Sequence, residues 1–463
     1  LIVTSGSLPG VTTTRVSLVL TAFALAVSAC TGGAGTTATT PPSSGDPSST
    51  TAQPDTTTTT VATLEVPITA SDSLDDVVVE RMRRDLAEIM VETEEVRGLP
   101  FLSVPTVVIL DQVDFTARVA EVIAEELDEE DMAIDSRFLS LLGMVPEGTD
   151  LYGLFIDLYT EQVAGYYDGE VKELVVPAAP EGFTPLQRIV VIHELVHALT
   201  DQHFEFNDDF DRLSEDGNGD DAAAMLALVE GDASHAQFVY MEGLSPLEAV
   251  QAAVEAFGIP RGVLDSVPAW MRADLLFPYE QGLTFTEALI AGGGLAAVDQ
   301  AYQGPPMTTE QVLDHAKYVS GEGPLPLPAA PTALDGWELY DEGSLGEWGL
   351  RLIVGESVPS GEATQAAAGW GNDEYRVYSR DEDVAVVLHY IGDSERDAEE
   401  ITNAFIAHIR ISMNAGPAVE SGDGLLYDQA KIYVFLDRVA DEMFLVASTD
   451  KTAGADLRAQ LGL

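Results

Sequence analysis

The sequence predicts an α+β protein, with a mainly helical core followed by a smaller α+β domain. Three observations predict it. Segments with apolar residues at helical spacing dominate the first two thirds of the chain. The β-branched runs there are short, few and isolated. Beyond a Pro-rich break at 324–331 the pattern changes, and strands alternate with helices.

The elements are read from the N-terminus. Arg15 precedes an apolar run, Val16 to Val27, that closes with Val27-Ser28-Ala29-Cys30. Small residues after a short apolar run give a signal-peptide layout. The run is too short to span a bilayer comfortably. The tetrapeptide resembles a bacterial lipobox, with Val27 where Leu is usual. That resemblance implies a signal peptide over 1–29 and a lipid on Cys30. Such a chain is expected outside the cytoplasm, anchored to the cell membrane. Cys30 is the only cysteine, so the mature fold is expected to hold no internal disulfide. Residues 30–65 are rich in Thr, Ser, Gly and Pro, lack apolar periodicity, and read as a flexible tether.

The first folded domain is expected over 66–323. Ser71–Glu95 reads as a helix, with Ser71 and Asp72 as candidate caps. Phe101–Leu110 reads as a strand. Phe115–Glu130 and Leu151–Gln162 read as helices, and Glu170–Val176 as a strand. A helix around His193 follows, then helices over Ala222–Met241, Pro246–Phe257 and Leu283–Gln300. Gly292-Gly293-Gly294 breaks the last of these or packs closely against a neighbour. Glu310-Gln311 and Asp314-His315 form a polar group beside a cleft or on a helix surface. The second domain, 324–463, shows helices over Gly346–Val354, Glu362–Gly369 and Ser394–Ile411. Its strands are Tyr375–Ser379, Val384–Tyr390, Lys431–Leu436 and Met443–Ser448.

The charge balance is extreme. Of 463 residues, 22 are basic and 78 acidic, for a formal net charge of −56. Such a surface repels phosphate, so nucleic acid is excluded as a partner. Asp216-Gly217-Asn218-Gly219-Asp220-Asp221 has oxygens and turns suited to calcium but lacks the EF-hand spacing. It reads as a solvated acidic loop.

His193-Glu194-Leu195-Val196-His197 matches the H-E-x-x-H zinc signature. Residues four apart share a helix face, so both imidazoles can meet one metal ion. Glu194 stands to the side, where its carboxylate can reach a metal-bound water. The flanking residues are apolar almost all round, as in a buried helix. Two histidines and a carboxylate there are costly without partners, and a metal is the simplest partner.

A catalytic zinc usually takes three protein ligands and leaves one position open. His203 stands six residues past His197, but Thr200 occupies the place where a helix-breaking glycine would be needed. A β-branched residue resists positive φ, so the helix is expected to continue and carry His203 away. Glu230, in an Ala- and Leu-rich helix, is therefore the preferred third ligand over His203. His235 reads equally well as a surface histidine. Asp201 and Asp232 are candidate partners for the ligand histidines.

HELVH followed by Val229-Glu230-Gly231-Asp232-Ala233 resembles the gluzincins, zinc peptidases whose third ligand is a Glu on a later helix. The run His193–Phe204, with Gly165-Tyr166-Tyr167-Asp168 and Gly369-Trp370-Gly371, is similar to bacterial metallopeptidase lipoproteins of unassigned substrate. The resemblance implies a zincin-like fold, one zinc ion, and hydrolysis of peptide or protein substrates. It implies His193, His197 and Glu230 as ligands and Glu194 as general base. Gluzincins stabilise the oxyanion with a Tyr or His. Tyr166, Tyr167, Tyr279 and His203 are candidates that the sequence does not rank. The strand at 170–176 is a candidate edge for pairing with an extended substrate. No Gly-Ala-Met-Glu-Asn element for gripping a substrate N-terminus is present. Two other classes remain: a non-catalytic envelope-tethered binding or scaffold lipoprotein, and a zinc amidase acting on a cell-wall component.

Overall fold

The computed structural model describes residues 18–22, 65–215, 219–328, 332–428 and 431–463. Cys30, the tether up to residue 64 and most of the expected signal peptide lie outside the described residues. No described helix is long and apolar enough to cross a membrane.

The α+β expectation holds, with two sheets among the described residues. The first contains β1 (Leu18–Ala22), β2 (Ile68–Ala70), β3 (Thr106–Leu110), β4 (Val163–Asp168) and β5 (Glu173–Pro177). Their spatial order is β1-β4-β5-β3-β2. Strands β2, β3 and β5 are parallel, while β4 runs antiparallel to β5 and to β1.

Helices α1 (Asp76–Arg97), α2 (Gln112–Glu126) and α4 (Leu151–Gln162) pack on this sheet, while α3 (Glu129–Leu141) lies against α4 and the second sheet. Alternation decides which side chain meets which helix. Leu174 and Val176 pack with Met82 and Leu86 of α1 and with Ile192 and Leu195. Val175 and Tyr166 point the other way, against Phe115, Val119 and Ile123 of α2.

The strand expected at 170–176 is displaced and is not an edge. It starts at Glu173 and lies between β3 and β4. Residues 170–172 form the turn, where Asp168 Oδ1 accepts from the Glu170 and Val171 amides and Lys172 takes a φ of 57°. Strand β4 was not foreseen because α4 runs into it at Gln162–Val163 with no Gly or Pro between. The helix expected at 115–130 is two helices, since Asp128 caps a new one at Glu129.

The helical layer comprises α5 (Pro185–Phe204), α6 (Phe206–Glu215), α7 (Gly219–Glu242), α8 (Pro246–Phe257), α9 (Ala269–Gly293), α10 (Leu295–Gln303), α11 (Thr309–Leu313) and α12 (His315–Ser320). Helix α5 begins with a full capping box, in which Thr184 accepts from the Gln187 amide and Gln187 answers to the Thr184 amide, with Pro185 at the first position. Its Leu186, Ile189, Val190, Ile192, Leu195, Val196 and Leu199 are buried. Burying each such side chain stabilises by about 1.5–3 kcal/mol. The glycine triplet does break its helix: Gly294, at φ 69°, ends α9 and starts α10.

The acidic loop reading is corrected at its end. Asp220 and Asp221 open α7, and Asp220 is buried, accepting from the Thr309 amide at 3.1 Å and the Thr309 hydroxyl at 2.5 Å. Residues 216–218 lie outside the described set.

The second sheet is antiparallel throughout. It contains β6 (Glu338–Gly343), β7 (Trp370–Arg380), β8 (Asp383–Gly392), β9 (Val419–Ser421), β10 (Gly424–Tyr427), β11 (Tyr433–Val439) and β12 (Glu442–Ser448). The order is β6-β7-β8-β12-β11-β10-β9. Helices α13 (Gly346–Gly355), α14 (Ser360–Ala367) and α15 (Glu395–Ile411) share one core with its Val386, Leu388 and Leu445. Helix α16 (Lys451–Gln460) covers the opposite face. The same core runs on into α3, α7 and α9. Trp348 of α13 stacks on Phe277 of α9 at 4.5 Å, and its indole N–H donates to Asp274 at 2.9 Å.

Candidate metal centre

Helices α5, α7 and α9 build the site. Helical spacing puts His193 and His197 on one face of α5, with ring centroids 4.8 Å apart. Helix α7 brings Glu230 to them. His193 Nε2 lies 2.9 Å from Glu230 Oε2, and His197 Nε2 lies 3.6 Å from the same oxygen. Each of the three offers one ligand atom, and those atoms all fall within 4.8 Å of one another. All three side chains are fully buried or nearly so.

The donor set fits a divalent cation. His197 has no hydrogen-bond partner on either ring nitrogen, and His193 Nδ1 has none. Buried polar atoms are rarely left without partners, so these histidines are short of a ligand. Two imidazoles and a carboxylate suit zinc and other borderline metals.

The electrostatics agree. Burial opposes ionisation of Glu230, yet the adjacent histidines hold its carboxyl down at about 2. Burial lowers the pKa of His193. Burial also pulls His197 down, but Glu230, Glu194 and Asp232 outweigh it and raise its pKa. The pocket therefore carries fixed negative charge beside two nitrogens.

Glu194 is buried, and its Oε2 accepts from the Tyr167 backbone amide of β4 at 3.0 Å. The motif's third functional side chain is thus tied to the strand beside α5.

His203 does not join the cluster. Helix α5 continues to Phe204, and the Thr200 hydroxyl bonds back to Val196 O at 2.8 Å within the unbroken helix. His203 Nε2 instead bonds to Pro100 O at 2.7 Å. His235 is half-buried and outside the group.

Register sorts the tyrosines. Tyr166 pairs with Val175 and faces α2, across the sheet from α5. Tyr167 faces α5, but its hydroxyl donates to Asp201 at 2.8 Å. Tyr279, buried on α9, has its ring centroid 6.2 Å from that of His193. Of the four candidates, Tyr279 is the one whose ring lies beside a histidine of the cluster, His193.

Asp201 and Asp232 are not hydrogen-bonded to the histidines. Asp201 takes Tyr167 and also Lys172 Nζ at 2.5 Å. Asp232 takes Arg97 Nε at 2.8 Å and the Tyr302 hydroxyl at 3.1 Å. Arg97 is fully buried and also donates to Asp299 at 2.6 Å. No sequence pattern singles out Arg97 or Tyr302, because their role depends on α1 and α10 meeting α7.

A second acidic group, Glu310, Glu322 and Asp393, surrounds Lys317 Nζ at 2.6, 2.6 and 2.8 Å. Its cation is already the lysine. Of the polar group read at 310–315, Glu310 is thus held in a structural tie.

A family model described as "Domain of unknown function (DUF8575)" matches residues 336–457. That segment covers most of the second sheet and its helices and excludes the His193–Glu230 cluster. No curated protein matches the chain. A crystal structure from Chloroflexus aurantiacus, described as a "putative hydrolase with a novel fold", aligns with a TM-score of 0.35 and 15% identity. The alignment covers 54% of this chain and 91% of the other. At that score it transfers neither fold nor activity.

Proposed function

We propose that the chain is a zinc-dependent hydrolase of peptide bonds. The observation that carries this reading is the convergence of His193, His197 and Glu230, from two helices, with Glu194 one residue along the same motif. A zinc ion held by the three ligands supplies a Lewis acid and a water of lowered pKa.

The chain's own residues do the rest. Glu194 takes a proton from the attacking water, whose oxygen bonds to the carbonyl carbon. Tyr279 donates toward the oxygen on which negative charge develops. When the carbon–nitrogen bond breaks, Glu194 delivers its proton to the leaving amine. The Tyr167 amide holds the Glu194 carboxylate in place between these events.

Strand β4 supports a peptide as substrate. Its outer edge pairs antiparallel with β1, Leu18 opposite Asp168 and Leu20 opposite Tyr166. An extended substrate takes that place by adding its own strand. The lipobox-like Cys30 supports a chain from which residues 1–29 are removed, anchored outside the cytoplasm. Loss of those residues frees the β4 edge.

The test is metal analysis combined with digestion of a peptide library. Protein from which residues 1–29 have been removed should hold about one zinc per chain and cut peptides. Glu194→Gln should keep the metal and lose cleavage. Undiminished cleavage by that variant overturns the reading.

A further inference from the structure

Three consecutive residues of α7 meet three different sets of partners. Glu230 faces α5, with its Oε2 2.9 Å from His193 Nε2. Gly231 abuts α9, where the Gly282 carbonyl leaves no room for a β-carbon. Asp232 is fully buried and bonds to residues of α1 and α10. Successive residues of a helix point about 100° apart, so Asp232 stands on the far side of α7 from Glu230.

Two groups grip Asp232 there. Arg97 Nε lies 2.8 Å from its carboxylate, and the Tyr302 hydroxyl donates to it at 3.1 Å. Arg97 is the last residue of α1, which Gly98 ends at φ 77° against Leu295 at the start of α10. That junction sets Arg97 beside Asp299 of α10 as well, at 2.6 Å. Burial works against the guanidinium charge, and Asp232 and Asp299 outweigh it. Tyr302 also reaches α5, because its ring stacks on Phe204 with centroids 4.6 Å apart. The two helices that carry His193, His197 and Glu230 are thus tied together behind the cluster.

The rotation of α7 about its axis decides where Glu230 points. A side-chain end lies about 5–6 Å from the helix axis, so a turn of about 10° moves it by about 1 Å. Distances in a metal site hold to within about 0.2 Å. The bare backbone contact at Gly231 limits how close α9 comes but offers no side chain to stop rotation. A carboxylate held by a guanidinium fork and a hydroxyl does stop it, since those bonds are directional.

We infer that Asp232 is a positioning residue. Arg97 and Tyr302 hold its carboxylate, fix the rotation of α7 and so aim Glu230 at His193 and His197. The inference rests on the metal reading of those three residues and is independent of the peptidase reading.

Zinc affinity of the full-length protein is measured by competition with a chromogenic chelator. Cobalt(II) in place of zinc then reports the ligand geometry through its visible spectrum. Tyr302→Phe keeps the ring stack and removes one grip. Arg97→Lys keeps the charge and loses the fork. The double variant Arg97→Met, Asp232→Leu replaces the buried ion pair by apolar side chains, a change that folds commonly tolerate. Each should weaken zinc binding at least tenfold, within the roughly 10–100-fold range for outer partners of metal ligands, and alter the cobalt spectrum. Arg188→Lys is the control. Arg188 also ties α5 to α1 and α7, through Glu92 at 2.8 Å and Tyr240 at 3.1 Å, but Tyr240 lies ten residues beyond Glu230. That variant should lower the melting temperature and leave zinc affinity and the cobalt spectrum unchanged.

A merely structural Asp232 would give the control's pattern in all variants, and that result overturns the positioning role. Tyr302→Phe, the mildest change, decides the matter if the other two variants fail to fold. Wild-type protein that takes up no zinc overturns the metal reading and this inference with it. Zinc uptake by wild type, with affinity and spectrum unmoved in the variants, overturns the positioning role alone.

Discussion

Gly231 and Gly282 meet backbone to backbone where α7 crosses α9. A β-carbon on Gly231 would lie 2.1 Å from the Gly282 carbonyl oxygen, and one on Gly282 would lie 2.0 Å from the Ala227 carbonyl oxygen. Glu230 adjoins the first glycine, and Tyr279 lies three residues before the second. The close crossing therefore sets the distance between Glu230 and the Tyr279 ring beside His193.

Gly282→Ala should force the helices apart. Overpacking of this kind costs about 1–3 kcal/mol. The thermal midpoint should fall, and zinc affinity should fall with it, measured by competition with a chromogenic chelator. Gly292→Ala is the control, since nothing lies within 4 Å of a β-carbon there. An unchanged zinc affinity in Gly282→Ala would show that the crossing does not set the ligand geometry.

Metal removal should destabilise the fold. A ligand at a hundredfold excess over its Kd stabilises the native state by about 2.7 kcal/mol. Chelation should lower the melting temperature, and added zinc should restore it. His197→Ala and Glu230→Ala should abolish the zinc-dependent shift, while His203→Ala should keep it. A His203→Ala protein that no longer responds to zinc would reinstate His203 as a ligand.

Tyr279→Phe should reduce kcat by roughly 10²–10³-fold with little change in KM, as for loss of one oxyanion donor. Tyr166→Phe should leave kcat unchanged, because Tyr166 faces α2. Steady-state kinetics on a cleaved peptide compares the two variants. Equal losses would remove Tyr279 from its role.

Apo protein should become less stable as pH rises from about 5 to 8. Burial pushes the Asp220 and Glu347 carboxyls up to about 8 and Asp135 to about 7. In the unfolded chain such groups ionise near 4. Between these values the folded state binds more protons, so stability is lost as pH rises through the folded pKa. Melting temperatures across this range, with chelator present, should decline. The double variant Asp220→Asn, Glu347→Gln should flatten the decline, and an unaltered slope would exclude these two residues as its source.

The sequence was most readable where a periodicity had one solution. His193 and His197 needed only helical spacing. The preference for Glu230 over His203 needed only that Thr200 not break the helix, and α5 runs through it. The tyrosines could not be ranked, because facing is a matter of strand register. Tyr166 and Tyr167 are neighbours on opposite sides of β4, and nothing marked β4 as a strand. Asp220 was read as solvated from its acidic neighbours, but Thr309, 89 residues on, buries it. The same limit hid Arg97: a buried guanidinium shows only when Asp232 and Asp299 are brought to it from α7 and α10.

The stack of Trp348 on Phe277 bears on how this protein can be divided. Phe277 lies two residues before Tyr279, so the wall of the metal centre is braced by side chains from beyond the Pro-rich break. A shortened product ending near residue 323 would leave Phe277 without its Trp348 cover and is expected to clump rather than dissolve. Producing the half that carries His193, His197 and Glu230 for assay thus calls for carrying the downstream sheet along with it.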